Sequence, residues 1–174
     1  MDAKRVARAG VMVALLAVSA QVMMPIGPVP FTLQTMVLAM IPAVLDRGTA
    51  VLSVVAYVLL GAFGLPVFAG FMGGFGSLVG PTGGFLWGFV LGMIAAGAMG
   101  RLFATRLSAF PRALVSSFLL LLVTYACGTV QLMALMSLDV TGALGIAVIP
   151  FVIPDVIKVV VGARIGVSIS KVLS

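Results

Sequence analysis

The sequence predicts an all-α membrane protein with six transmembrane helices, and three observations carry that prediction. Hydrophobic residues make up 63% of the 174-residue chain and charged residues 8%, against roughly 45–50% and about 25% in a soluble domain. The apolar runs are continuous, whereas barrel strands would alternate apolar and polar residues with a period of two. Basic residues cluster in alternate connections between the runs, the asymmetry of a multi-pass helical protein. No polar helix faces remain to meet water, which excludes a soluble bundle.

A spanning helix needs about 20 mostly apolar residues. The first expected span covers residues 6–24. Its start, "MDAKRVARAG" then "VMVALLAVSA", also resembles a signal peptide with a small-residue cleavage site. The apolar character, however, continues past Gln21 to Met24. The second and third spans, 31–45 and 49–63, are short, so they are expected to extend into their turns or sit deeper within protein. The fourth, 83–103, contains Gly88 and Gly92, spaced for close helix packing. The fifth is 113–136. The sixth, 146–172, contains Pro154, a residue suited to a helix start. Residues 1–174 read as a single domain, with no charged tail, linker or full-length repeat.

Lys and Arg stay on the cytoplasmic side of short loops. Lys4, Arg5 and Arg8 precede the first helix, and Arg47 lies between the second and third. Arg101, Arg106 and Arg112 lie between the fourth and fifth; Arg164 and Lys171 lie toward the end of the sixth. Nine of the ten basic residues therefore share one side, and both termini are expected in the cytoplasm. The outer connections, about 25–30, 64–82 and 137–145, hold no basic residue. The net charge of +6 is thus a topology signal that requires no nucleic-acid partner. The expected location is the cytoplasmic membrane, in contact with lipid.

The tenth basic residue, Lys158, sits in the outer half of the sixth span, with Asp155 one turn before it. A charge in apolar surroundings costs several kcal/mol unless paired or hydrated. Asp155 could cap its helix, and Lys158 could pair with it or snorkel outward. Alternatively the two line a substrate path, where intramembrane charges usually occur. As the lone outer-side cation, Lys158 is the candidate partner for an anionic ligand. Two outer connections could complete a site. In "PIGPVPFTLQT" the prolines favour a stiff extended turn. Gln34 follows it, with an amide that donates and accepts, either to a ligand or across helices.

The second connection, "GLPVFAGFMGGFGSLVGPTGGFLWGF", carries nine of the 21 glycines within residues 61–84, interleaved with Phe68, Phe71, Phe75 and Phe85. Glycine lets backbone approach a ligand, and phenylalanine supplies apolar walls. A re-entrant lid over a pocket is expected, although glycine also serves helix packing. These groups suit a small ligand with an anionic end, a hydrogen-bonding end and an apolar middle.

Taken together, "GPVPFTLQT", "GLPVFAG", "GPTGGF" and "PDVIK" resemble the BioY family, the biotin-binding S components of energy-coupling-factor transporters, from the first helix to the last. The resemblance implies six helices with a pocket near the outer face. It implies that Lys158 meets the valerate carboxylate and that Asp155 accepts from a ureido N–H. Gln34 and the loop residues Gly73, Gly74, Gly83, Gly84 and Phe85 would surround the rings. The family often has tyrosine after "GPTGG"; here Phe85 loses that hydroxyl. It also implies a transmembrane coupling protein and two ATPase subunits, docked through a small-residue face such as Gly10 and Ala14 on the first helix. A homo-oligomer is possible.

The chain has no G-x-x-x-x-G-K-[ST] loop of its own. With no histidine and one cysteine, no catalytic dyad or cofactor is expected, which argues against an intramembrane enzyme. An S component for another vitamin, or an assembly protein, remains as the alternative reading.

Overall fold

The computed structural model describes residues 2–173. Its elements are α1 (Ala3–Gln21), β1 (Met23–Ile26), β2 (Val29–Thr32), α2 (Gln34–Val44), α3 (Arg47–Ala62), α4 (Gly76–Val79), α5 (Gly83–Leu102), α6 (Ala109–Met136), α7 (Val140–Ala147) and α8 (Val152–Leu173). A single 3₁₀ turn, Ala69–Phe71, interrupts the connection between α3 and α4.

Two expectations change. The first helix ends at Gln21 rather than Met24, because the chain turns into an antiparallel hairpin in which Met23 pairs Thr32 and Ile26 pairs Val29. Pro25, Pro28 and Pro30 cannot continue a helix, and Gly27 takes the positive φ of 64° that the two-residue turn needs. Phe31 and Thr32 thus belong to β2, and α2 begins only at Gln34. The sixth span is broken: α7 and α8 are bent by 51°. Pro150 lies in the break and cannot extend α7.

By length and composition, α5 and α6 can each cross a membrane, and the bent α7–α8 pair makes a third span if counted as one. The α1 helix carries Lys4, Arg5 and Arg8 near its start, and α2 and α3 have 11 and 16 residues. Large apolar side chains stand exposed along the long helices, Leu91, Leu122, Val130 and Ile157 among them. Such a surface suits lipid and not water.

Glycine sets the closest helix contacts. A Cβ on Gly88 would stand 2.7 Å from Thr124 Cα, and one on Gly92 would stand 2.8 Å from the Leu120 carbonyl oxygen, so α5 lies directly on α6. A Cβ on Gly166 would stand 2.7 Å from the Met40 carbonyl oxygen, which brings α8 onto α2. The Ser117 hydroxyl donates to the Ala39 carbonyl at 3.1 Å, tying α6 to α2. Leu16, Leu38, Ile41, Val54, Tyr57, Met93 and Leu120 fill the centre.

The two described ends of the chain meet, since Arg8 donates to the Leu173 carbonyl at 2.7 Å. Nearby, Asp46 caps α3: its Oδ2 accepts from the Thr49 hydroxyl at 2.7 Å and its Oδ1 from the Thr49 amide at 3.3 Å. The Thr49 hydroxyl is the main cause that holds the Asp46 carboxyl below its ordinary pKa. The cap's contribution is therefore complete above the ordinary carboxylate pKa and is lost as pH falls through the lowered value. Asp46→Ala is expected to cost about 1 kcal/mol, measured as a lower unfolding midpoint in detergent at neutral pH.

Candidate ligand-binding site

A cavity of about 510 Å³ opens at the end of the bundle formed by the hairpin and the glycine-rich segment. Its rim is exposed: Pro25 and Gly27 on one side, Met72, Gly76 and Pro81 on the other. Its floor is buried: Phe68, Leu86, Phe89, Thr124, Phe151, Asp155 and Lys158. The volume falls in the range of about 300–1,000 Å³ usual for small-molecule sites.

Asp155 and Lys158 are 5% and 7% exposed, so neither charge is left to bulk water, and each must find partners in the protein. The Lys158 ammonium ion-pairs with Asp155 Oδ1 one turn away. It also donates to the Thr32 carbonyl at 2.7 Å and lies 3.9 Å from the centre of the Phe31 ring. Asp155 Oδ2 accepts from the Tyr125 hydroxyl at 2.6 Å. Asp155 does not act as a side-chain cap: it lies inside the first turn of α8, with its amide bonded to the Phe151 carbonyl. The pair presents a carboxylate and an N–H side by side at the cavity wall.

Gln34 is 5% exposed and engaged at both the nitrogen and the oxygen of its amide. Its Nε2 donates to the Tyr57 hydroxyl at 2.7 Å, and its Oε1 accepts from the Thr32 hydroxyl at 3.2 Å. Tyr57 in turn donates to the Val67 carbonyl at 2.8 Å, so Gln34 also supports the glycine-rich segment. Thr124 adds a buried hydroxyl that has no hydrogen-bond partner among the described residues.

Of the expected site residues, Gln34, Gly73, Phe85, Asp155 and Lys158 line this cavity, and Gly74, Gly83 and Gly84 do not. Gly74 serves a turn, with φ of 89° and its amide bonded to the Gly61 carbonyl at 2.7 Å. A Cβ on Gly83 would overlap the Leu78 carbonyl, and one on Gly84 would overlap the Cys127 carbonyl. Those two glycines seat α5 against its neighbours. Gly10 and Ala14 are exposed on α1, and a Cβ on Gly10 would meet nothing within 4 Å. That small-residue face is not used for internal packing.

Tyr57, Tyr125, Thr124, Gln21 and Gln131 were missed from the sequence. The chain has only two tyrosines and three glutamines, and a polar group on an apolar helix must find a partner. That scarcity was the available signal for the tyrosines and glutamines; Thr124, one of eight threonines, carried none. Gln21 grips the glycine-rich segment from α1, donating to the Phe68 carbonyl at 3.1 Å and accepting from the Phe71 amide at 2.8 Å. Gln131 grips it from α6, donating to the Gly80 carbonyl at 2.6 Å and to the Leu78 carbonyl at 3.1 Å. Phe71 sits at a φ of 59°, a costly value for a bulky residue that needs such external support. Gln21→Leu is expected to speed amide hydrogen exchange across residues 68–73 by at least tenfold, with α5 and α6 unchanged.

The sequence model of the BioY family matches residues 1–174. The chain belongs to the BioY family. It is 42% identical to the biotin transporter BioY of Thermotoga maritima, over 97% of this chain and 96% of that protein. It is 39% identical to the probable biotin transporter BioY of Pyrococcus horikoshii, over 91% of each. Among solved structures it resembles the S-component for biotin from an ECF-type ABC transporter, with a TM-score of 0.88 and 25% identity over 97% of this chain and 91% of that one. The fold is therefore the S-component fold, and the BioY family is a family of transporters, not enzymes.

Proposed function

We propose that this chain binds biotin for uptake across the cytoplasmic membrane, as the substrate-specificity subunit of an energy-coupling-factor transporter. The observation that carries this reading is the buried Asp155–Lys158 pair in the wall of a predominantly apolar cavity. Biotin offers a cyclic ureido group, an apolar ring with a sulfur, and an aliphatic tail ending in a carboxylate.

The contact between Asp155 and Lys158 supports a different division of the ligand ends from the one the resemblance implies. A carboxylate on Lys158 and a ureido N–H on Asp155 would require the two groups to face opposite ends of an extended ligand, but they touch. Drawing Lys158 away would also break its hydrogen bond to the Thr32 carbonyl and its contact with the Phe31 ring. A neutral ion pair gains little from a further buried anion, whereas a ureido group offers a carbonyl to Lys158 and an adjacent N–H to Asp155. The ureido end therefore takes the floor, near Thr124, and the carboxylate points to the exposed rim, where water can hydrate it. Phe68, Phe85 and Phe89 enclose the ring, with the glycine-rich segment as the lid.

In this reading the chain is one domain that crosses the membrane six times, as α1, α2, α3, α5, α6 and the α7–α8 pair. Both termini and the basic end face the cytoplasm, in accord with the positive-inside rule. A transmembrane coupling protein and two ATPase subunits supply the energy, docking on the exposed Gly10–Ala14 face. Gly10→Leu is then expected to leave biotin affinity unchanged and to abolish ATP-driven uptake; normal uptake would remove that face from the docking surface. The function itself is tested by denaturing the purified protein and analysing what it releases by mass spectrometry. Biotin should appear and should be displaced beforehand by excess biotin analogue but not by riboflavin or thiamine. Release of another vitamin, or of none after incubation with biotin, would refute the assignment.

A further inference from the structure

A second cavity lies at the basic end of the bundle and shares no lining residue with the first. Along α8, Ser170 in its wall is about 18 Å from Lys158, at 1.5 Å per residue. Its volume is about 310 Å³. Arg47, Arg101 and Arg112 line it, one from each of α3, α5 and α6, and no acidic residue does. The nearest acid in sequence, Asp46, is turned to Thr49 and Arg5. Arg112 keeps one N–H on the Ala104 carbonyl at 3.4 Å, which leaves the rest of its fork for other partners. Arg47 is pre-positioned, because its aliphatic stem lies on Gly97, where a Cβ would stand 2.7 Å from its Cγ. The inner wall is apolar apart from small hydroxyls, with Met93 and Ala96 buried beside a 1% exposed Ser116.

Three guanidinium groups with no carboxylate partner among the described residues, set around an apolar recess between helices, make a socket for an anion attached to an apolar body. Arginine forks match phosphate oxygens two at a time, and basic pockets between membrane helices take anionic headgroups. We infer that this cavity binds the phosphate group of an anionic phospholipid, whose acyl chains continue along the exposed apolar faces. An inorganic phosphate ion shares the headgroup chemistry, so the two sources must be separated by experiment. The inference does not depend on what the first cavity binds.

The test uses the intact detergent-solubilised chain. Native mass spectrometry and thermal unfolding are followed with added phosphatidylglycerol, with phosphatidylcholine and with inorganic phosphate. The expected result is a retained phosphatidylglycerol adduct with a raised unfolding temperature, and neither effect from phosphatidylcholine. Stabilisation by inorganic phosphate at equal occupancy would support the socket but assign it to the soluble ion. The double variant Arg101→Gln/Arg112→Gln should weaken the adduct by tenfold or more. Should that variant fail to fold, Gly97→Val tests the same site by pushing Arg47 aside without removing charge. Equal retention of the two lipids with no phosphate effect would overturn the inference. So would an adduct unchanged in a folded variant.

Discussion

Lys158→Ala is expected to weaken biotin binding by roughly 10- to 150-fold, the value of a charge-assisted contact of about 1.5–3 kcal/mol in a dry site. The loss combines two effects. The ligand's carbonyl loses its donor, and Asp155 is left buried with only the Tyr125 hydroxyl to stabilise its charge. With the ureido end on the pair, as proposed, biotin and its methyl ester should lose affinity by similar factors. An ester that binds the variant as well as it binds the parent would put the carboxylate on Lys158 instead. Calorimetric titration of both ligands into parent and variant separates these results.

Asp155→Asn should have the largest effect on stability. It keeps the shape and the Tyr125 contact but removes the only acid beside a buried ammonium. Breaking a buried pair on one side costs about 3–5 kcal/mol, because the surviving charge is uncompensated. Replacing both members, as Asp155→Asn/Lys158→Met, should recover much of that stability while leaving biotin binding lost. The recovery identifies charge imbalance as the cause, since the two changes are strongly coupled. A single variant with parental stability and parental biotin affinity would mean that the pair is dispensable to both fold and site.

The charges themselves were legible in the sequence, because Asp155 and Lys158 stand out in an apolar run. Their three-residue spacing also allowed the ion pair. What spacing could not disclose was Tyr125, which reaches Asp155 from another helix 30 positions away. Nor could it disclose the Thr32 carbonyl, a backbone group that leaves no mark on residue type. The prolines of 25–30 announced an extended segment, but its pairing into a hairpin depends on a register that proline count does not specify.

Glycine was the most ambiguous signal. Gly73 lines the cavity, while Gly83 and Gly84, ten and eleven residues on, admit neighbouring backbone instead. Both uses need the same missing Cβ, so sequence alone cannot separate them. Helix ends were legible to within a few residues where charge or proline marks them. The break in the last span is the exception, since Pro150 could equally have been tolerated in a kinked but continuous helix.

The most direct test of the central claim is a structure of the protein saturated with biotin. The ligand should lie in the cavity beneath the glycine-rich segment, with its ureido group about 3 Å from both the Asp155 carboxylate and Lys158 Nζ and its carboxylate toward Pro25 and Gly27. Biotin bound elsewhere, or bound here with its carboxylate on Lys158, would contradict the account.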